Sequence, residues 1–241
     1  MLDVHDAHHA ASTSKEFFIH IATIVLGLLI AVGLEQVVEL IHHHNQVVGA
    51  RKALRDEQTA NEQLFAQRTK VFRSETSKYQ SNLAVLLFLQ KHPGAPSAQW
   101  PGIVNWHSLG GRFNDSAWAA IERSNVTDLL PQDEVRRADR LYKDLAAEDA
   151  TEAQRLEAIR EARRYMVVDY DPSHLAPSQL AEAIELAENV LTVQYRLGSE
   201  MRNLNREFPS FMPAPSTEEL VDIMHEPHQL TALPTVTDTP K

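Results

Sequence analysis

Histidine is the residue type in this chain with the most capacity for chemistry, because 12 His are present and Cys is absent. His20 is the one ionisable side chain inside a long apolar run. An imidazole at that position could contact haem or chlorophyll, or handle a proton. The run holds no second histidine, and His20 lies near its start. A place at the membrane interface is therefore the simpler interpretation, with a cofactor contact as the alternative.

Three further histidines, His42 to His44, follow the run directly. Neighbouring residues of a helix point in different directions, so a shared metal ion would need i,i+4 spacing or several chains. We interpret the three as a titratable collar at the interface. The segments "HDAHH" (residues 5–9) and "HEPH" (residues 225–228) also lack metal-ligand spacing. With no Cys and no nucleophile–base pattern, the sequence predicts no metal site and no catalytic residue.

A second set of residues could form a helix–helix interface. Every fourth position of the run and its exit is small or polar, and these positions are Thr23, Gly27, Ala31, Glu35 and Glu39. Gly27 and Ala31 form a small-xxx-small pair, which allows two helices to approach closely in lipid. The interface would join two copies of the chain or join it to another membrane subunit. The alternative is that small residues are simply common in such helices and that the glutamates reach water.

The element that must position these residues is the segment 16–44. Its apolar part, Phe17–Leu34, would span about 27 Å as a helix, close to the hydrocarbon thickness of a bilayer. A cleaved signal is one alternative, since Lys15 precedes the run and Ala31–Gly33 resembles a cleavage site. A buried core helix is another, although the run has no polar face. The length and the unbroken helix formers that follow favour a retained single-pass transmembrane helix, with the lipid bilayer as a partner.

Residues 45–91 continue as a long stem helix, because apolar residues recur there at helical spacing. Residues 93–115 form an irregular loop that is rich in Pro, Gly and Ser and contains Trp100 and Trp106. Two tryptophans in a loop either close the end of a hydrophobic core or form a surface for a ligand or partner. Both interpretations are open from the sequence.

The remaining pattern predicts an all-α, up-and-down helical bundle. Asp115 or Ser116 should N-cap one helix, a second should open at Pro131, and Thr151 should cap a third. A long helix follows from Ser178 to Phe208, and the acidic pairs are expected on solvent faces. The predicted divisions are a polar tail (1–15), the anchor (16–44), the bundle (45–208) and a Pro/Thr-rich tail (209–241) with a short helix at 217–224.

Two stretches carry a resemblance to a known group of proteins. "EFFIHIATIVLGLLIAVGLEQVVELIHHHNQ" (16–46) and "SAWAAIERSNVTDLLPQDEVRRADRLYKDL" (116–145), with Glu57 and Asn61 between them, resemble a family of uncharacterised bacterial single-pass membrane proteins. Where many of those proteins carry Asn-Trp after the span, this chain has "EQVV". The resemblance covers about residues 16–145. It implies an N-terminal signal anchor and a helical domain outside the bacterial inner membrane, and it implies no activity.

Charge and architecture together favour a non-enzymatic accessory or scaffold protein that self-associates or docks to a membrane complex. The net charge of −10 repels phosphate backbones, so nucleic acid is not an expected partner. Alternatives are an accessory subunit that contacts haem or chlorophyll at His20, and a sensor that binds a ligand near the Trp100 and Trp106 loop. The resemblance places the bundle in the periplasm, whereas the basic residues Arg51, Lys52 and Arg55 favour the cytoplasm.

Overall fold

The computed structural model describes residues 14–108, 110–165 and 171–211. The "HDAHH" and "HEPH" segments and the short helix predicted at 217–224 lie outside these residues. Within them, all the regular secondary structure is helical, which confirms the all-α prediction. The helices are α1 (Ser14–Lys91), α2 (Ser116–Arg123), α3 (Gln132–Ala162) and α4 (Pro177–Glu207). Short 3₁₀ turns lie at Ser97–Gln99, Asn125–Leu129, Pro172–His174 and Pro209–Phe211.

Helix α1 joins the anchor and the stem without a break. Its 78 residues correspond to a length of about 117 Å. The apolar side chains of its N-terminal third are exposed on every face, and Ala50 is the first buried residue of the stem. The helix ends at Lys91, because Pro93 cannot continue the hydrogen-bond ladder and Gly94 adopts a left-handed φ of 74°.

After α1, the chain returns along the stem as an extended segment rather than as a helix. Two asparagines of α1 bind this segment, and in each the side-chain amide accepts one hydrogen bond from the segment's backbone and donates another to it. Asn82 accepts a hydrogen bond from the Asn105 amide at 2.6 Å and donates one to the Asn105 carbonyl at 2.9 Å. Asn61 brackets Asn114 in the same way, with both bonds at 2.8 Å. The return path brings the chain back to the end of the bundle nearest the anchor.

Because the extended segment ends near the anchor end of the bundle, α3 starts at that end. Helix α3 runs parallel to the stem, as the pairs Arg51–Glu134 and Arg155–Glu75 show. Helix α4 then runs antiparallel, with Tyr195 contacting Gln80 and Ser210 contacting Gln58. In the described part of the chain the bundle thus has three long helices, of which α1 and α3 point the same way.

The predicted break at Thr151 is wrong. Thr151 is fully buried in the interior of α3, which runs continuously over the two helices expected from the sequence. No Gly or Pro interrupts the segment, and the neighbouring Glu148 and Glu152 both pair with arginines of the bundle. The helix predicted at 178–208 agrees with α4 to within one residue at each end.

Two hydrophobic cores fill the bundle. The core near the anchor, called the proximal core, contains Phe65, Phe72, Trp118, Leu145, Met201 and Phe211. The core at the far end, called the distal core, contains Tyr79, Leu86, Leu89, Trp106, Ile159 and Val190. Buried charged and polar side chains, centred on Arg155, lie between the two cores.

Candidate functional site

The anchor residues form one uninterrupted ridge on α1. Thr23 keeps its hydroxyl within the helix by donating to the Ile19 carbonyl at 2.9 Å, so it presents little polarity to the surroundings. A Cβ built on Gly27 meets no heavy atom within 4 Å. In the described part of the chain nothing packs against Gly27, Ala31 or Glu35, because the apolar span is entirely exposed. The ridge is therefore free to contact lipid or a second helix.

His20 and the collar histidines occupy the two ends of the apolar span. The His20 ring lies 3.3 Å from the Glu16 carbonyl oxygen, in a local contact within the helix. His42 lies 3.0 Å from the Gln46 amide nitrogen, and His43 lies 3.8 Å from the Glu39 carboxylate. Among the described residues, no group of three or more metal-ligating side chains converges.

The two loop tryptophans belong to the distal core. Trp106 is 1% exposed and stacks on Tyr79 with ring centroids 6.1 Å apart. Trp100 is partly buried against the same core, and its indole N–H donates to the Ala95 carbonyl at 3.0 Å. Of the two interpretations open from the sequence, the structure places both side chains as a closure of the core. A ligand could reach Trp106 only if the loop moved.

Between the two cores lies a buried ionic layer centred on Arg155. Its guanidinium holds Glu152 in a bidentate pair, with N–O distances of 2.8 and 2.7 Å. The same group donates to Glu75 at 2.8 Å and to the Tyr79 hydroxyl at 3.0 Å. Gln194 of α4 accepts at 3.3 Å, so the layer joins all three long helices. Burial raises the pKa of Tyr79, which therefore stays protonated and acts as a neutral member of the layer.

A second buried arginine, Arg68, lies on α1 between Glu75 and the anchor. Arg68 contacts Glu148 at 3.1 Å and Asp149 at 2.8 Å, and it also donates to the Gly111 carbonyl of the extended segment. Burial raises the pKa of Glu148 to about 7, and Arg68 only partly offsets that rise. Within the described residues, the second carboxylate oxygen of Glu148 has no hydrogen-bond partner. The carboxyl is therefore partly protonated near neutral pH.

Glu57 provides a third buried carboxylate, at the start of α2. Its oxygens accept hydrogen bonds from the Ala117 amide at 2.7 Å, the Ser116 hydroxyl at 3.0 Å and the Trp118 amide at 3.3 Å. The Tyr142 hydroxyl donates to it at 2.7 Å. Asp115, which the sequence suggested as a cap, makes no capping hydrogen bond. A residue of the stem thus caps a helix that begins 59 residues later.

The expectation that the acidic pairs face solvent is therefore wrong for Glu57 and Glu148, and the single acidic residues Glu75 and Glu152 are buried as well. Their burial is nevertheless indicated by their spacing in the sequence. The buried positions of the helices alternate in steps of three and four residues, and the charged residues occupy those positions. On α3 the series is Leu141, Leu145, Glu148, Glu152, Arg155, Ile159 and Ala162. This repeat is the one that packs helices in coiled coils, where an occasional polar member selects the alignment of the helices.

The chemistry of these carboxylates is that of structural ion pairs. Asp149 and Glu152 line a groove of about 430 Å³ between α3 and the extended segment, but their oxygens already contact Arg68, Arg155 and the Phe113 amide. A carboxylate that is held by a guanidinium is a poor base and a poor metal ligand. The arrangement connects three helices rigidly.

Comparison with known proteins does not add a relative. The chain matches no protein-family model, and neither the curated proteins nor the solved structures yield a match to it. The resemblance to bacterial single-pass membrane proteins stays a prediction, and the function must be inferred from the chain's own residues.

Proposed function

We propose that this chain is a membrane-anchored scaffold protein that uses its anchor and stem to self-associate or to dock to a membrane complex. One observation carries the proposal. The helix of the stem continues, unbroken, into an apolar span whose mean hydropathy is 2.6 and whose side chains are entirely exposed. An exposed apolar surface of that length is strongly unfavourable in water and is stabilised by a bilayer.

The continuity of α1 supports a scaffolding role. No proline interrupts the helix between the anchor and the stem, and packing against the proximal core begins at Val47 and Ala50. The buried ionic layer and the capping by Glu57 then connect the stem to the other helices. A rotation or tilt of the anchor is therefore transmitted to the bundle as a rigid body. Such an element suits a protein that holds a partner at a set height above a membrane.

The first experiment separates membrane insertion from assembly. The full chain is expressed in a bacterium, and membranes are washed with alkaline carbonate and floated in a density gradient. The protein is then purified in mild detergent, and its mass and absorption spectrum are recorded on the same peak. We expect carbonate-resistant flotation and a colourless oligomer. A chain that remains soluble would contradict the anchor, and a monomer would contradict self-association. A coloured peak that is lost in His20→Ala would favour the cofactor alternative.

A second experiment tests the proposed location, which is the bacterial inner membrane with the bundle in the periplasm. Because the chain has no Cys, a single introduced thiol reports its own position. Ser97→Cys places the thiol on an exposed turn of the bundle, and Ser12→Cys places it on the other side of the span. We expect a membrane-impermeant maleimide to label Ser97→Cys in intact spheroplasts and Ser12→Cys only after lysis. The reverse labelling would assign the bundle to the cytoplasm.

A further inference from the structure

The turn that follows α2 and the collar of α1 border a half-open cavity of about 440 Å³. This volume lies within the range of about 300–1,000 Å³ that is typical of ligand pockets. From α1 the cavity is lined by His42, His43 and Gln46. From the turn it is lined by Ser124, Asn125, Val126, Asp128 and Leu129. The lining thus combines hydrogen-bond donors, one carboxylate and two apolar side chains.

The position of the cavity restricts what can fill it. The exposed apolar side chains of α1 extend to Ile41, which is 56% exposed and lies one residue before His42. The apolar run of hydrocarbon length ends at Leu34, so the segment 35–41 projects through the head-group layer of the bilayer proposed above, and the cavity opens at the outer side of that layer. Lipid head groups are the small molecules present at that depth at high concentration.

The charged and polar groups of the lining indicate which lipid head group the cavity would bind. Because the Nε2 atoms of His42 and Gln46 already contact each other at 3.0 Å, the groups left to donate to a phosphate are His42 Nδ1–H, an N–H of the His43 ring and the second amide N–H of Gln46. Asp128 can accept hydrogen bonds from a primary ammonium group. A quaternary ammonium is instead recognised by aromatic cages, and among the described lining residues there is no Phe, Tyr or Trp. Asp128, the nearby Glu39 and the net charge of −10 oppose a purely anionic head group.

We propose that this cavity binds the head group of a phosphoethanolamine lipid, with the phosphate on the collar histidines and the ammonium on Asp128. The inference rests on the proposed membrane anchoring. It adds a specific lipid contact that fixes the bundle against the membrane surface through the turn at 124–129, in addition to the stem.

The test is lipid retention by the full-length protein in native mass spectrometry. The protein is incubated with equal amounts of phosphatidylethanolamine, phosphatidylcholine and phosphatidylglycerol that share the same acyl chains. We expect the ethanolamine lipid to be retained about tenfold over the others, because a charge-assisted hydrogen bond is lost in each competitor. Asp128→Asn should remove the preference. Asp133→Asn, an exposed acidic residue at the start of α3, is the matched control and should keep it.

Three results would overturn the inference. They are equal retention of the three lipids, an unchanged preference in Asp128→Asn, and equally tight binding of soluble phosphoethanolamine, which would assign the cavity to a soluble ligand. Flotation of the wild-type chain is measured in parallel. A chain that floats without a lipid preference contradicts only the head-group site, whereas a chain that does not float contradicts the anchor and the site together.

Discussion

The guanidinium of Arg155 on α3 contacts the carboxylate of Glu75 on α1 at 2.8 Å, and both side chains are buried between the two hydrophobic cores. Desolvation of two charges is costly, so such a pair contributes less to stability than to the choice of one alignment of the helices. Sliding α3 along α1 by one turn would bring Arg155 out of reach of Glu75. The pair therefore fixes the relative position of the two parallel helices.

Loss of Arg155 should destabilise the bundle strongly. In Arg155→Met, both oxygens of the buried Glu152 lose the guanidinium that binds them, and an uncompensated buried carboxylate costs about 3–5 kcal/mol. Chemical unfolding followed by tryptophan fluorescence measures this loss, because the three Trp of the chain all lie in residues 100–118. Arg160→Met removes an exposed pair on the same helix and should change the free energy of unfolding by less than about 0.5 kcal/mol. Equal effects of the two variants would refute a special role for the layer.

Glu148 should make the stability depend on pH. Its pKa is raised from 4.5 to about 7 in the folded state, so the folded chain binds a proton that the unfolded chain has already lost between these values. Stability therefore falls as pH rises through this window, by about 3 kcal/mol in total. Glu148→Gln cannot ionise and should flatten the dependence between pH 5 and pH 8. The exposed Glu157→Gln on the same helix should leave it in place, and identical profiles for the two variants would show that another group is responsible.

Gly198 permits the close approach of α4 to the stem. A Cβ at this position would lie 2.6 Å from the tip of the buried Phe72 ring, which cannot swing away without opening the proximal core. Gly198→Ala should therefore destabilise the bundle by about 1 kcal/mol or more, although alanine has the higher helix propensity. Gly49→Ala meets no atom within 4 Å and should stabilise α1 by up to about 1 kcal/mol. Denaturant midpoints that shift in the same direction for both variants would contradict this account.

Glu57 should be required for docking of α2. In Glu57→Gln, the amide replaces one acceptor oxygen with a donor that faces other donors, at a cost of about 2–3 kcal/mol. Near-ultraviolet circular dichroism should report the change directly, because Trp118 stacks on Tyr142 at 5.8 Å beside this carboxylate. Glu62→Gln, which changes a partly exposed carboxylate one turn along α1, is the control and should keep the native spectrum.

The anchor ridge should control assembly in lipid. Gly27→Leu adds a bulky side chain to the ridge and should weaken self-association by at least about tenfold, or about 1.4 kcal/mol. Gly33→Leu makes the same chemical change about 120° around the helix, off the ridge, and should leave the association unchanged. Light scattering across a range of detergent-to-protein ratios distinguishes them. Loss of association in Gly33→Leu alone would move the interface to the opposite side of the anchor.

Some of the bundle could be predicted from the sequence and some could not, and α3 shows the difference. Its helical propensity and its first turn at Pro131 were readable, but its continuity through Thr151 was not. Thr151 has the residue type of a helix N-cap, which is why a new helix is predicted to begin there. The stretch stays helical because no Gly or Pro interrupts it and because Glu148 pairs with Arg68 of α1, 80 positions away, a partner that the local sequence cannot identify.

Part of the candidate site could also be predicted from the sequence, and part could not. The anchor ridge and the collar depend on spacing along one helix, so their geometry follows from the helical period alone. The head-group cavity needs the turn at 124–129 to fold back beside His42 and His43, which are more than 80 positions earlier in the chain. Nothing local indicates this contact.

The sequence by itself determined the all-α class, the apolar span with its ridge, the unbroken run into the stem and the irregular loop. These features depend on composition, length and period, which are properties of neighbouring residues. Only the tertiary structure decided which partners the buried charges contact, that Trp106 closes a core, and that α3 runs parallel to the stem. The physical reason is that a buried charge is tolerated only with a partner, and here the partners come from distant parts of the chain.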